Sequence, residues 1–173
     1  MLKYLKFIII FLIILWLAIS VFNQWRAEIF LYRAQSLNDS ITQSHNYSNS
    51  QSLNHYNTSI SLSPSKSENH FRLAKFYEDR ASKEGISRKE RVKWLEKEKS
   101  ELIKAIEIEP TNTIHHLTLG WVYYYLFVYD KKIEYKRIAE KEFRLAYRLD
   151  STSRSIEAIV IKYLTRLNSS IAQ

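Results

Sequence analysis

The sequence predicts an all-α protein in which one long apolar helix precedes antiparallel helical hairpins in series. Three features point there. Only Gly85, Gly120, Pro64 and Pro110 supply glycine or proline among 173 residues, whereas a β-rich chain needs turn residues roughly every 8–12 positions. The first 22 residues, MLKYLKFIIIFLIILWLAISVF, hold a continuous apolar run. Farther on, apolar residues recur at helical spacing in segments of about 15–20 residues. Breaks near Pro64, 82–87, Pro110, 129–131 and 150–153 separate these segments.

In the N-terminal element, residues 7–22 carry no charge and Ser20 as their one hydroxyl. With Tyr4, Leu5 and a snorkelling Lys6, the run approaches the ~20 residues that cross a bilayer. Trp25 lies just beyond it, where an interfacial aromatic anchor belongs. With no polar face, such a helix cannot be the amphipathic side of a soluble core. Residues 1–23 are therefore expected to be a transmembrane signal anchor, contacting lipid through residues 4–22. The alternative is a cleaved signal peptide, with Lys3 and Lys6 at its charged start and Ala18 and Ser20 near the cut. Lys3 and Lys6 against Arg26 and Arg33, the latter offset by Glu28, place the short end inside and the bulk of the chain outside.

The next stretch, 24–47, is expected to be a helical extension (Ile29, Phe30, Tyr32, Leu37) leading into a Ser/Asn-rich connector. Leu53, Tyr56, Ile60 and Leu62 then return to helical spacing before Pro64. Asn-X-Ser/Thr sequons at Asn38, Asn46, Asn57 and Asn168 matter only in a eukaryotic secretory setting.

From residue 48 onward an internal repeat is visible. SISLSPSKSENHFRLAKFY, AIEIEPTNTIHHLTLGWVY and AYRLDSTSRSIEAIVIKYL align, each passing from an apolar helix end through Pro or Ser into a new apolar-periodic helix. Small residues (Ala74, Ala105, Gly120, Ala146) recur where two helices would cross closely, with Leu119, Tyr123 and Phe143 filling the adjoining space. The copy around Pro110 resembles the tetratricopeptide repeat. Pro110, Asn112, Leu119-Gly120 and Tyr123 match the family's first helix, and Ala139, Phe143, Ala146 and Ser151 match its second. Leu102, Ala105 and Pro110 repeat the second-helix pattern, and Tyr56, Ser59, Leu73, Ala74 and Tyr77 stand at equivalent places around Pro64. The chain departs from the family in spacing, since its boundaries lie farther apart than the ~34-residue period, and Ser151 replaces the terminal proline. The resemblance implies an α-solenoid of two to three tetratricopeptide-like hairpins, assigned to 48–173.

Catalytic and metal chemistry are not expected. The chain has no cysteine, which removes disulfides, thiolate metal sites, thiol nucleophiles and a lipoprotein anchor. His115 and His116 are adjacent and point about 100° apart on a helix, so His70, His115 and His116 are read as packing residues. Glu107 and Glu109, two apart, do not face each other. No Gly-rich phosphate loop, Gly-x-Ser-x-Gly or His-Glu-x-x-His occurs. The +8 charge, from 26 Lys and Arg against 18 Asp and Glu, is interleaved with Glu along 88–104 as on a solvated helix face. Neither a nucleic-acid partner nor a cofactor is expected.

What the resemblance implies is a partner groove on the inner face of the first helices. Its positions carry over to Phe71, Arg72, Lys75 and Glu78, to Leu117, Trp121, Tyr124 and Tyr125, and to Lys162, Thr165 and Arg166. An aromatic centre rimmed by basic residues suits an extended peptide bearing acidic groups; the competing reading makes Trp121, Tyr124 and Tyr125 ordinary core. The expected function is a non-enzymatic, membrane-anchored protein–protein interaction scaffold of the cell envelope, holding a partner in a membrane complex. The expected place is a bacterial inner membrane with the N-terminus cytoplasmic, or the periplasm after cleavage. The alternatives are a structural accessory subunit without a peptide groove and a membrane-attached enzyme.

Overall fold

The computed structural model describes the backbone over residues 2–40 and 47–169 and the side chains over 9–37 and 50–166. Residues 41–46, in the expected connector and carrying the sequon at Asn46, lie outside the described residues, as do Met1 and 170–173. The described residues form helices and no strand: α1 (Leu2–Ser40), α2 (Tyr47–Leu62), α3 (Ser67–Ala81), α4 (Arg88–Ile108), α5 (Thr113–Asp130), α6 (Ile133–Leu149) and α7 (Arg154–Ser169). The predicted breaks fall between these helices, except that α5 runs on through Tyr129 and Asp130 before it ends at Lys131.

Local chemistry sets those ends. Ser87 caps α4, its hydroxyl accepting from the Glu90 N–H at 3.2 Å. Asn112 caps α5 by accepting from the N–H groups of Ile114 and His115, which satisfies donors a helix start leaves orphaned. Lys131 ends α5 in the left-handed region at φ 58°, and Gly85, at φ +78°, turns the chain between α3 and α4, where a residue without Cβ meets no steric cost.

The chain divides into two compact units, Met1–Ser65 and Lys66–Gln173. In the first, α1 continues unbroken through 24–40 and pairs with α2. At ~1.5 Å per residue α1 is about 58 Å long, roughly twice a bilayer's ~30 Å hydrocarbon core. Its side chains divide accordingly. Ile9 through Phe22 are exposed almost throughout, whereas Ala27, Leu31 and Ala34 are buried. The face of α2 behind them is small: Ser52, Ser59 and Ser63 are buried beside Tyr56, and the Ser59 hydroxyl donates to the Ala27 carbonyl at 2.9 Å. The Ser-rich composition therefore serves close helix approach at 52–63, where α2 pairs with α1.

In the second unit, α3 pairs with α4, α5 with α6, and α7 follows on α6. Leu95, Leu102, Leu119, Val122 and Leu126 pack with Ala74 and Ala81 at the α3–α4–α5 junction. Leu117, Phe127, Phe143, Ile156, Val160 and Tyr163 pack with Ala139 and Ala146 at the α5–α6–α7 junction. The close crossing expected at Gly120 is present: a Cβ there would lie 2.8 Å from two ring carbons of Phe143, leaving no room for any side chain.

Candidate functional site

A cleft of about 570 Å³ opens where α3, α4 and α5 meet. Helix α3 brings Lys75 and Glu78, α4 brings Arg91, Leu95 and Glu98, and α5 brings Leu117, Trp121, Tyr125 and Tyr129. The spacing is helical in each case: 75 and 78, 91, 95 and 98, and 117, 121 and 125 each fall on one face. The wall from α5 is aromatic, with Trp121 and Tyr125 stacked at 5.7 Å between centroids and 16° between planes. Tyr125 is 41% exposed; Trp121 is half-buried, with Phe143 set edge-on to its ring at 6.0 Å.

The cleft's charged residues are organised among themselves. Lys75 and Glu78 form an ion pair one helical turn apart. The Arg91 guanidinium donates to the carbonyls of Ala81 and Lys83 at 2.6 and 3.1 Å and sits 5.5 Å from the Tyr129 ring centre. It thereby closes the end of α3 and borders the cleft. Glu98 is 2% exposed. Burial, reinforced by the negative charge of Glu78, pushes its carboxyl up to about 9 despite the opposing pull of Lys75, so it is uncharged at neutral pH. Desolvation likewise raises the phenol of Tyr125.

Of the residues the sequence singles out, Lys75, Glu78, Leu117, Trp121 and Tyr125 line this cleft. Tyr124 adjoins it, 6.1 Å from Trp121 and 6.0 Å from Tyr163. Phe71 lies elsewhere, packed on the His115 ring at 5.0 Å, and Arg72 donates to Glu68 at 2.6 Å on the surface of α3. Lys162, Thr165 and Arg166 are exposed on α7, Arg166 lying 5.7 Å from the Tyr163 ring centre. The α4 contribution, Arg91, Leu95 and Glu98, is missed by reasoning from first helices alone. Its signal in the sequence is the 91, 95, 98 spacing.

The histidines read as packing residues are buried and carry a further role. His70 Nδ1 meets Glu101 Oε2 at 2.7 Å, joining α3 to α4, and His116 Nδ1 meets Glu142 Oε2 at 2.7 Å, joining α5 to α6. The same polar clamp thus recurs at equivalent places in successive hairpins. His116 Nε2 also donates to the Pro110 carbonyl at 2.9 Å, fixing the ring from both sides. His115 is buried without a partner for Nδ1, and desolvation lowers its basicity. Among the described residues, no group of three or more His, Asp or Glu is placed to share a metal ion.

No protein-family model and no curated protein matches the sequence. Solved structures do match in fold. One is the Arabidopsis OM64 TPR domain, with a TM-score of 0.60 and 14% identity over 86% of this chain and 98% of that one. Another is the first TPR of Spaghetti (RPAP3) bound to HSP90 peptide SRMEEVD, with a TM-score of 0.61 and 12% identity over 87% of this chain and 96% of that one. At such identities the likeness establishes architecture, and the fold of this chain is a tetratricopeptide-like array of helical hairpins preceded by a helix long and apolar enough to cross a membrane.

Proposed function

We propose that this chain is a non-enzymatic interaction scaffold, held on a membrane by residues 4–22, that grips an extended segment of a protein partner in the α3–α4–α5 cleft. The observation that carries the reading is the cleft itself: a stacked Trp121–Tyr125 wall facing Lys75 and Arg91. Rigid aromatic surface supplies contact area at low entropic cost, and basic residues at the margin steer acidic groups toward it. The RPAP3 module, of the same architecture, holds an acidic peptide. The exposed apolar half of α1 has no partner helix among the described residues of its unit, in keeping with a lipid environment. With the N-terminus cytoplasmic, the hairpins would stand outside a bacterial inner membrane.

A photocrosslinking side chain in place of Tyr125, in the full chain expressed in its native membrane, tests this. A discrete protein adduct, lost on competition with an acidic peptide such as SRMEEVD, is the expected result. Adducts to lipid alone, or the same adducts from a crosslinker at exposed Lys131, would refute it.

A further inference from the structure

A second surface lies apart from the cleft. A groove of about 700 Å³ runs between α6 and α7. Its position is defined by the repeat. Helix α6 is seated on two neighbours. On α5, Phe143 covers Gly120 and Glu142 meets His116. On α4, the Tyr135 hydroxyl donates to Glu96 at 3.2 Å and Lys99 lies 5.9 Å from the Tyr135 ring centre. In the alignment of the repeat copies, His116 and Gly120 of α5 correspond to Glu157 and Ile161 of α7, and Glu96 and Lys99 of α4 correspond to Arg137 and Glu140 of α6. Those four residues line the groove. The groove is therefore the seat of α6 repeated one step along the array, and no described helix of this unit occupies it. Ile161, where Gly120 received a covering ring, is 57% exposed.

The occupant's chemistry follows from the walls. Val160, Ile161 and Leu164 give an apolar floor, while Arg137, Lys141, Arg144 and Arg148 form a basic stripe along one face of α6. Arg144 is paired with Glu140 at 2.8 Å, which leaves Arg137, Lys141 and Arg148 to face an incoming chain. A second copy is a poor match, because its own α6 stripe and the exposed Arg154, Lys162 and Arg166 of its α7 are basic too.

We propose that the α6–α7 groove seats an amphipathic helix of a protein partner, which lies on α7 as α6 lies on α5, with apolar residues inward and acidic residues toward α6. The helix adds packing area against Ile161 and Leu164, and its acidic edge meets Arg137 and Lys141, giving register and orientation.

The test uses the full chain in detergent micelles and two labelled helical probes of the length of α6, 17 residues. Both carry Leu at helical spacing; one has Glu along the flank and its twin has Lys. The Glu probe is expected to bind at least about tenfold tighter than the Lys probe, with the preference shrinking as salt rises. The triple change Arg137→Glu, Lys141→Glu, Arg148→Glu reverses the preference, Ile161→Asp abolishes binding, and Tyr125→Ala leaves it unchanged because the cleft is separate. Equal binding of the two probes, or none, overturns the proposal. So does a concentration-dependent dimer lost on Ile161→Asp, which assigns the face to a second copy. Binding to anionic phosphatidylglycerol vesicles without probe binding, lost in the triple variant, assigns it to lipid instead.

Discussion

At Gly120 the nearest atoms to an added Cβ are carbons of the Phe143 ring, 2.8 Å away. A leucine must displace a ring that is fully buried, so Gly120→Leu is expected to destabilise the hairpin by about 1–3 kcal/mol. Thermal unfolding of the full chain in detergent measures this. The clamps differ from one another in a way mutation can resolve. Glu101 keeps Lys104 at 2.7 Å when His70 is removed, whereas His116 serves both Glu142 and the Pro110 carbonyl. His116→Ala should therefore cost more than His70→Ala, by something on the order of 1–3 kcal/mol for the extra polar groups left buried. The order of the two melting temperatures decides it. Glu98 adds a dependence on pH. Its folded-state carboxyl, near 9, stands above the ordinary 4.5, so the folded chain holds a proton that the unfolded chain releases. The stability this proton provides is fully present below about pH 4.5 and is lost progressively as pH rises toward 9, at a rate approaching ~1 kcal/mol per pH unit. Glu98→Gln, which stays neutral, should flatten that decline and raise the melting temperature at pH 8 relative to the parent. A parallel decline in both proteins would place the titration elsewhere.

Among the elements, α5 carries two duties on one helix. Its Leu119, Val122 and Leu126 join the core with α4, and Leu117, Trp121 and Tyr125 form the cleft wall. The two aromatic residues of that wall are not equivalent. Trp121 is wedged against Phe143, so Trp121→Ala removes core contact as well as wall and is expected to lower both stability and partner capture. Tyr125 is the more exposed, so Tyr125→Ala should weaken capture by about 2 kcal/mol, roughly thirtyfold, with little change in melting temperature. Lys75→Glu acts through encounter, slowing association and altering its salt dependence. Stability and binding measured on the same variants separate these effects; a Tyr125→Ala chain that melts early but binds normally would remove the cleft from consideration. Helix α2 shows how an unusual composition is used at this scale. Its Ser-rich face buries Ser52 and Ser59 as α2 pairs with α1, and the Ser59 hydroxyl bonds the Ala27 carbonyl directly.

For the whole molecule, the central question is how α1 is used. Its first half is apolar and exposed and its second half is packed on α2, so within its own unit one continuous helix carries both the apolar segment and the surface that α2 covers. Residues 7–22 are expected to remain in the mature protein and hold it in the membrane fraction. Intact-mass analysis of purified protein checks this, and a chain beginning at Val21 would contradict it.

Helix boundaries were legible in the sequence because their causes are local. Ser87 with Glu90, Asn112, and the prolines at 64 and 110 act on their own turns of chain and need no distant partner. The hairpin repeat was legible too, since a small residue on the first helix (Ala74, Gly120) and a large–small pair on the second (Leu102 and Ala105, Phe143 and Ala146) recur in the same order in both hairpins. The cleft was half legible: α5's aromatic face follows from periodicity, but Arg91 and Glu98 join it only because α4 crosses α5 at an angle that packing sets. That Glu98 is neutral, that α2 belongs against α1, and that Arg137, Lys141 and Arg148 border a groove with Ile161 and Leu164 are likewise decided in three dimensions. Burial, helix pairing and the lining of a groove depend on segments far apart in the chain, and a local pattern of residues carries no record of them.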